Sequence, residues 1–316
     1  MPIKKCLILG GAGFLGRNLC KELSRQGYEI TVYNRESTQI TELCKIVPSV
    51  RIIKGDFSTQ TKESFGLLLS NIDVVFHLIS TTNPSNKNVL YDFESNVLPT
   101  IRFLDACIKS NIKKFIYFSS GGTVYGLPKY VPIDEIHQME PISSYGIHKL
   151  SIEKCIEYYG RTYQLDYNIL RIANPYGRGQ RPFVNQGVIA VFLANALLGK
   201  TIEVWGDGKV VRDYISVVDV IMVCIKVIDY QGQYKIFNVG SGKGSSLNEI
   251  IDIIQGKINK TIHVKYVEGR IQDVSANILD ISLIQNELNW TPKVTLEQGI
   301  GEMISNWDSV GNKFKL

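Results

Sequence analysis

Residues 6–19 read CLILGGAGFLGRNL, an apolar run followed by a glycine-rich turn and the start of an amphipathic pattern. The glycines recur as Gly10, Gly13 and Gly16. Between a strand and a helix, this spacing permits a tight turn, a close approach of the backbone to a pyrophosphate, and close packing of the helix on the strand. The positive end of the helix then faces the phosphates. The stretch therefore predicts the first βα unit of a dinucleotide-binding fold.

The first half of the chain repeats this alternation of strand and helix. The apolar runs EITVYN, VRIIKGD, DVVFHLI, KFIYFSS and YNILRIA are bounded by Gly, Asn, Asp or Ser, and amphipathic stretches such as VLPTIRFLDACIKSN separate most of them. Near-continuous apolar strands that alternate with helices are typical of a parallel sheet covered on both faces. We therefore predict an α/β fold with a Rossmann-type, doubly wound parallel sheet in a dinucleotide-binding domain over residues 1–173.

The pattern changes from Asn174 onward. The stretch NPYGRGQRPFVNQG is loop-like, and shorter mixed elements follow it. We predict a smaller C-terminal α/β substrate domain over residues 174–316, with part of residues 211–240 returning to the first domain. The final GNKFKL is expected to be a frayed tail.

Composition narrows the functional class. The chain has 316 residues, 44% hydrophobic and 21% charged, with a net charge of +5 that is not gathered into any basic block. Nucleic acid and membrane surfaces are therefore not expected as partners. The apolar run after the first lysines is too short for a signal peptide, and no stretch approaches a membrane span, so we expect a cytoplasmic protein. Six scattered cysteines predict reduced core residues, and four histidines without ligand-like spacing predict no metal site.

The ends of the later strands predict further cofactor contacts. The second strand ends in Asn34 and Arg35, where an Asp would bond both ribose hydroxyls and repel a 2′-phosphate. Asn repels nothing and Arg35 attracts phosphate, so this position leaves NAD and NADP both open. Asp56 ends the third strand, where it would accept from the adenine amino group. The run FHLIS ends the fourth strand beside the expected nicotinamide ribose.

The motifs, taken together in order, resemble those of a known family. They are GxxGxxG, GDF, SSGGTVYG, YGIHK, RIANPYG, WGDGKVVRDYISVVDV, FNVGSG and LNWTPKVTLEQGI, and they span nearly the whole chain. The chain resembles the extended short-chain dehydrogenase/reductases, most closely the nucleotide-sugar epimerases typified by UDP-glucose 4-epimerase. The resemblance implies bound NAD, a UDP-sugar substrate, and a homodimer formed through a helix bundle to which the YGIHK helix contributes.

Tyr145 and Lys149 lie four positions apart in ISSYGIHKL, on one face of a predicted helix. A solvent-facing pair is the usual meaning of a lone YxxxK. The resemblance instead implies that Tyr145 is the acid/base for a sugar hydroxyl and that Lys149 anchors the nicotinamide ribose. A nearby ammonium and an oxidised nicotinamide both stabilise the phenolate.

The segment before VYG departs from the family pattern. The resemblance implies a Ser or Thr that assists the tyrosine, but that position is Gly121, so Ser120 or Thr123 would have to supply the hydroxyl. Related 4,6-dehydratases carry an acid pair here, and Gly121–Gly122–Thr123 has no carboxylate. Dehydration is therefore disfavoured. The full set of predicted cofactor residues is Gly10, Gly13, Phe14, Leu15, Gly16, Asn34, Arg35, Asp56, Phe57, Leu78, Ile79, Ser80, Asn96, Tyr145 and Lys149.

In the second half, the resemblance implies a nucleotide-sugar site. Asn174, Arg212, Arg270 and Asp273 match positions that hold the diphosphate and nucleoside, and Asn277 matches a gate beside the C2 substituent of the sugar. An Asn in place of a bulky Tyr predicts that the acetamide of an N-acetylated sugar is admitted; the alternative is that Asn277 caps a turn.

The predicted activity is a 4-epimerase that interconverts UDP-GlcNAc and UDP-GalNAc through a 4-keto intermediate, with UDP-glucose and UDP-galactose as an additional candidate pair. An NAD(P)-dependent nucleotide-sugar reductase or dehydrogenase is the alternative enzyme. A non-catalytic cofactor sensor is a third reading, which the retained Tyr145 and Lys149 disfavour.

Overall fold

The computed structural model describes residues 4–182, 187–269 and 274–307. The chain divides into two compact units. Unit 1 comprises Met1–Gly126, Gln138–Arg171 and Ile221–Phe237, and unit 2 comprises Leu127–His137, Ile172–Val220 and Asn238–Leu316. The sequence-based boundary after residue 173 lies close to the one after Arg171. Residues 127–137, which were predicted in the first domain, belong to unit 2, and the expected return to the first unit spans residues 221–237.

The strands are β1 Lys5–Leu9, β2 Glu29–Asn34, β3 Arg51–Lys54, β4 Val74–His77, β5 Lys114–Ser120, β6 Tyr167–Ile172, β7 Asn174–Tyr176, β8 Ile202–Trp205, β9 Val211–Ser216, β10 Ile236–Val239, β11 Gly244–Ser246, β12 Val264–Val267 and β13 Ala276–Asn277. The α-helices are α1 Phe14–Arg25, α2 Thr38–Ile46, α3 Lys62–Leu68, α4 Val89–Asp92, α5 Leu98–Cys107, α6 Ser144–Tyr163, α7 Val188–Leu197, α8 Val217–Ile228, α9 Leu247–Ile258, α10 Ser282–Leu288 and α11 Leu296–Ser305. A 3₁₀ turn spans Phe57–Thr59, and a π-helical segment, Phe93–Val97, joins α4 to α5.

Unit 1 is built on a seven-stranded sheet in the order β10-β6-β5-β4-β1-β2-β3. The pairings of β1 with β2 and β4, of β2 with β3, and of β4 with β5 are parallel. This order reverses between β1 and β4, which is the switch point where α/β sheets bind ligands beyond the carboxyl ends of their strands. The predicted Rossmann-type fold is confirmed.

Apolar strand residues account for the two-sided burial of this sheet. Leu7, Val75, Phe115 and Ile169 are all fully buried and pack in one cluster with Phe103 of α5. Because these strands are apolar on successive residues, helices must cover both faces. The carboxyl ends of β1, β4 and β5 consequently open onto one edge of the sheet.

Unit 2 has smaller sheets. β9 is central to one of them, with β11 antiparallel on one side and β13 and β7 paired parallel to it. β8 and β12 form a separate parallel pair. Capping boxes begin α9 at Ser246 and α11 at Thr295, each satisfying backbone N–H groups of the first turn.

The structure tests the sequence-based expectations for the cysteines, for membrane-spanning helices and for metal sites. Cys6, Cys20, Cys107 and Cys224 are buried thiols as predicted, but Cys44 is exposed and Cys155 is half-buried, so the core assignment is wrong for Cys44. In the described part of the chain, no helix is long and apolar enough to cross a bilayer. No group of three or more His, Cys, Asp or Glu side chains there is arranged to hold a metal. The GNKFKL tail lies outside the described residues.

Candidate active site

The first turn of α6 presents Tyr145 and Lys149. Ser143 caps this helix, its hydroxyl oxygen accepting a hydrogen bond from the Gly146 N–H at 3.1 Å. Tyr145 is half-buried and Lys149 is only 3% exposed. A solvent-facing pair is therefore excluded. The Lys149 Nζ lies 5.7 Å from the centroid of the Tyr145 ring and 4.9 Å from that of Tyr117, and it donates to the Phe118 carbonyl at 2.8 Å.

Burial shifts both titrations towards the neutral forms. Desolvation raises the pKa of Tyr145 to about 12; a hydrogen bond with the Ser80 hydroxyl lowers this pKa, and the Asp92 charge raises it further. Desolvation lowers the pKa of Lys149 to about 7, an effect that the Glu153 carboxylate opposes. The phenol of the protein alone is thus protonated at neutral pH. A cation bound beside the ring is what would favour the phenolate.

The loop after β4 lies beside this phenol and is held by Asn96. The Asn96 side chain is 2% exposed, accepts from the Thr81 N–H at 2.9 Å and donates to the Thr81 hydroxyl at 2.8 Å. Leu78, Ile79 and Ser80 are half-buried in the same loop. Asn96 thus orients the loop that carries Ser80, and the direct cofactor contact assigned to Asn96 stays a prediction.

The glycine turn has the form that a pyrophosphate needs. A Cβ on Gly16 would lie 2.6 Å from the Gly10 carbonyl oxygen, and one on Gly13 would lie 3.3 Å from it. Gly10 has φ +84°, a left-handed conformation that disfavours side chains. Helix α1 begins at Phe14 with no side-chain cap and no acidic residue in its first turn. Its first N–H groups and its dipole therefore suit an anion, and the turn fits a dinucleotide.

The other predicted cofactor residues fall at the ends of β2 and β3. Asn34 ends β2 and donates through Nδ2 to the Arg35 carbonyl at 2.7 Å, while the Arg35 side chain is exposed. Asp56 begins the 3₁₀ turn and accepts from the Ser58 N–H and hydroxyl; these hydrogen bonds hold the pKa of its carboxyl below the usual value. Phe57 is buried against Phe65, so its ring belongs to the core. Leu15, by contrast, is half-buried in α1.

The hydroxyls near Gly121 are both placed at the end of β5. Ser120 is its last residue, and its carbonyl accepts from the N–H groups of Thr123 and Val124 at 3.3 and 3.1 Å. The Thr123 hydroxyl is buried and has no hydrogen-bond partner among the described residues. An unsatisfied buried hydroxyl is costly, and the assignment of Ser120 or Thr123 to the substrate oxygen stays a prediction.

Unit 2 brings three of the predicted substrate residues onto neighbouring strands. Asn174 on β7 donates to the Asp213 carbonyl at 2.9 Å. Asn277 on β13 is 2% exposed and is paired in register with Arg212 on β9. The remaining two predicted contacts, Arg270 and Asp273, lie outside the described residues.

A buried ion pair behind the site was missed by sequence reasoning. The Arg171 Nη2 lies 2.7 Å from the Glu153 carboxylate, and the two side chains are 1% and 0% exposed. Glu153 lies one turn after Lys149 on α6. Arg171 also donates to the Tyr125 hydroxyl at 3.0 Å, so the pair ties α6 to β6 and to the VYG segment. Charged residues inside otherwise apolar stretches were the signal available in the sequence.

Comparison with known proteins identifies the family. A model described as the NAD dependent epimerase/dehydratase family matches residues 6–240. The chain belongs to this family. Its glycine turn and its Tyr145–Lys149 pair are the parts of unit 1 that suit a nicotinamide cofactor, and the family description names NAD.

Two relatives are similar over almost their whole length. A putative UDP-glucose 4-epimerase of Methanocaldococcus jannaschii is 33% identical over 309 residues, which cover 97% of this chain and 99% of the relative. A dTDP-4-dehydro-6-deoxyglucose reductase of Escherichia coli is 32% identical, with 95% of this chain and 96% of the relative covered.

Two solved structures have nearly the same fold. A UDP-glucose 4-epimerase of Thermotoga maritima with UDP-glucose superposes with a TM-score of 0.91 at 31% identity, covering 97% of this chain and 99% of that one. A UDP-N-acetylglucosamine 4-epimerase of Methanobrevibacter ruminantium, in complex with UDP-N-acetylmuramic acid, has a TM-score of 0.90 at 27% identity, covering 98% and 100%.

Proposed function

We propose that the protein is a nucleotide-sugar 4-epimerase that acts on UDP-sugars with tightly bound NAD. The observation that carries this proposal is the half-buried Tyr145 with the buried Lys149 one turn later on α6, within a chain of the NAD dependent epimerase/dehydratase family. The names of one relative and of both solved structures support the reaction class. Unit 1 binds the dinucleotide and unit 2 binds the nucleotide sugar in this proposal.

The chemistry of the chain is proton transfer and orientation. When bound at the glycine turn, NAD would supply the hydride acceptor and, once reduced, the hydride donor. Tyr145 removes the proton from the 4-hydroxyl of the sugar as that carbon is oxidised, and it returns the proton when the opposite face is reduced. Lys149 stabilises the phenolate and orients the ribose, and the Ser120 or Thr123 hydroxyl donates to the sugar oxygen. The 4-keto sugar turns about its link to the diphosphate between the two steps.

We propose N-acetylated sugars as substrates, with UDP-GlcNAc and UDP-GalNAc as the preferred pair. Asn277 is much smaller than a tyrosine and its amide can hydrogen-bond an acetamide. The sugar must present both faces to one nicotinamide, so the acetamide needs room in two orientations. Asn174, Arg212, Arg270 and Asp273 are assigned to the diphosphate and nucleoside, for which the planar fork of arginine is suited.

The deciding experiment begins with mass spectrometry of the cofactor retained on purification. The purified protein is then incubated with UDP-GlcNAc without added cofactor. Retained NAD and formation of UDP-GalNAc, with no net change in nicotinamide absorbance, support the proposal. Stoichiometric gain or loss of reduced nicotinamide would contradict it.

The second candidate is an NAD(P)-dependent reductase or dehydrogenase of a nucleotide sugar, which the E. coli relative favours. A reductase consumes one reduced cofactor for each sugar. Incubation of the protein with a nucleotide 4-keto-6-deoxy sugar and NADH or NADPH distinguishes the two reactions, because only a reductase oxidises the cofactor stoichiometrically. A cofactor sensor would turn over neither substrate.

We also propose a cytoplasmic homodimer. Leu98 at the start of α5 is 45% exposed and Tyr158 on α6 is 54% exposed, so both helices carry apolar or aromatic surface that a second copy could cover. Light scattering at several protein concentrations tests the assembly, and a monomer throughout would contradict it.

A further inference from the structure

Asp92, at the end of α4, is a fully buried carboxylate with an unusual number of partners. Its Oδ2 accepts from the Ser144 hydroxyl and from the Asn86 side-chain amide at 2.9 Å. Its Oδ1 accepts from the Thr82 hydroxyl and lies 3.5 Å from Nδ1 of His148. The side chain has an exposed fraction of 0%. A buried charge this well supplied with donors is held in one position.

Two of these partners flank the catalytic candidates. Ser144 directly precedes Tyr145 and His148 directly precedes Lys149, so Asp92 hydrogen-bonds the start of α6 at Ser144 and contacts it again one turn later at His148. The His148 ring also packs edge-on against the Tyr145 ring, with 5.0 Å between centroids. The contacts of Asp92 with Ser144 and His148 therefore help to position the Tyr145 phenol.

A third partner of Asp92, Thr82, lies in the loop on the other side of the Tyr145 phenol. Thr82 follows Ser80 in the loop after β4, and the Ser80 hydroxyl donates to the Thr82 carbonyl at 3.2 Å. The Thr82 hydroxyl in turn donates to Asp92. One carboxylate therefore connects the helix that carries Tyr145 with the loop that carries the hydroxyl beside it.

Asp92 and His148 together carry a net negative charge at pH 7. Burial raises the pKa of the Asp92 carboxyl, but hydrogen bonds from Ser144, Thr82 and Asn86 hold it below the usual value. Burial and the nearby Lys149 lower the pKa of His148 to about 4, so the imidazole is neutral at pH 7. Neither ring nitrogen of His148 hydrogen-bonds a described residue, so the 3.5 Å approach of Nδ1 to Asp92 is a close polar contact.

Three elements carry the other titratable groups near Asp92, His148 and the Tyr145 phenol. These groups are Lys149 and Glu153 on α6, Tyr117 on β5 and His77 on β4. Tyr117 and His77 are neutral at pH 7, since burial raises the pKa of the first and lowers that of the second to about 3. Asp92 is therefore the negative charge that acts directly on Tyr145 and raises the pKa of its phenol.

We propose that Asp92 and His148 are positioning residues for Tyr145, fixing the phenol between α6 and the Ser80 loop and opposing its ionisation with the Asp92 charge. This inference rests on the acid–base role proposed above for Tyr145. Neither residue touches the substrate in this proposal. Their effect passes through Ser144, Thr82 and the edge of the phenol ring.

The test is an NMR titration of the NAD-loaded protein with ring-labelled tyrosine, in which the Tyr145 signal is identified by its loss in Tyr145→Phe. Asp92→Asn removes the charge with little change of shape, so the Tyr145 titration moves to lower pH. The limb of the kcat–pH profile that depends on Tyr145 moves with it. At pH 7 kcat nevertheless falls roughly tenfold to a hundredfold, because a neutral amide holds Ser144 and Thr82 less firmly and the phenol is misplaced, while KM changes little.

The matched control is Asp219→Asn, which removes another buried carboxylate, one that accepts from the Lys293 and Val294 N–H groups at 3.0 Å each. It is expected to lower stability and leave the Tyr145 titration unchanged. Ser144→Ala keeps the Asp92 charge but releases the first turn of α6, so kcat falls while the titration stays.

A folded Asp92→Asn protein with a wild-type Tyr145 titration would overturn the electrostatic half of the inference. Wild-type kcat in Ser144→Ala would overturn the positioning half, even if Asp92→Asn does not fold. If the wild-type protein turns over no UDP-sugar, the proposed function fails, and the Tyr145 titration still decides the effect of Asp92.

Discussion

The Nζ of Lys149 lies 5.7 Å from the centre of the Tyr145 ring, one helical turn away and shielded from solvent. Burial opposes charge on both side chains, lowering the pKa of the lysine to about 7 and raising that of the tyrosine to about 12. The pair therefore lowers the stability of the protein alone. Its ionised forms serve the proposed reaction only when a cofactor and substrate are bound.

Tyr145→Phe keeps the ring and removes the proton carrier. Turnover of the nucleotide sugar is expected to fall by about 10²-fold or more, the usual contribution of a general acid–base group. Folding and retained NAD should be unchanged, as measured by thermal unfolding and cofactor content. Tyr158→Phe, on an exposed tyrosine of the same helix, is the control and should behave as wild type. Near-normal turnover in Tyr145→Phe would place the proton transfer elsewhere.

Lys149→Met is expected to stabilise the cofactor-free protein while abolishing turnover. The folded-state pKa of about 7 lies below the ordinary value of 10.5, so the unfolded chain binds more protons between these values. The buried lysine therefore lowers the stability of the wild-type protein by the full amount below pH 7, and this destabilisation disappears as the pH rises towards 10.5. Urea unfolding should show a gain for Lys149→Met that is largest near pH 7 and shrinks at higher pH. A destabilised variant at pH 7 would contradict this.

Gly16→Ala tests the phosphate turn. The added Cβ would lie 2.6 Å from the Gly10 oxygen and from the Gly11 Cα, so the backbone must shift. We expect a loss of about 1–3 kcal/mol in the free energy of unfolding, together with lost NAD on purification. Gly66→Ala on α3 is the control, because its Cβ meets nothing within 4 Å; it should gain about 0.5–1 kcal/mol. Normal NAD content in Gly16→Ala would refute the assignment of the turn.

Asn277→Tyr tests the proposed gate. A tyrosine at this 2% exposed position reduces the room for a C2 acetamide, so conversion of UDP-GlcNAc should fall while conversion of UDP-glucose persists. Both pairs are measured by separating the products, with Asn277→Ala as a control that enlarges the site and thermal unfolding as a check on folding. The gate is wrong if sugar preference is unchanged or if the wild type does not convert N-acetylated sugars.

The sheet was predictable because its strands are apolar on successive residues and end at Gly, Asn or Ser. The run 73–79, for example, contains β4 at Val74–His77. The glycine turn and the pair on α6 were equally visible, since both are local spacings. Cys44 was misplaced because it directly follows buried Leu43 in α2, and neighbours on a helix point about 100° apart.

Asp92 left no signal in the sequence. Its bond to Ser144 joins residues 52 apart in the chain, and neither residue belongs to a periodic pattern. For the pair of Glu153 and Arg171, a charge within an apolar run was visible, but its partner was not. Such contacts depend on how elements pack, which local propensity does not encode. The residues that orient the site were therefore harder to find than those that do its chemistry.

The last segment of unit 1, Ile221–Phe237, is synthesised after much of unit 2. Its edge strand β10 begins at Ile236, after the ribosome has already synthesised β7, β8 and β9 of the other unit. Until that strand arrives, β6 presents a row of unpaired backbone groups, the kind of surface on which nascent chains aggregate. Premature termination before residue 221 would leave that edge open permanently. Protection of the β6 edge therefore depends on the order of synthesis as well as on the final stability of the sheet.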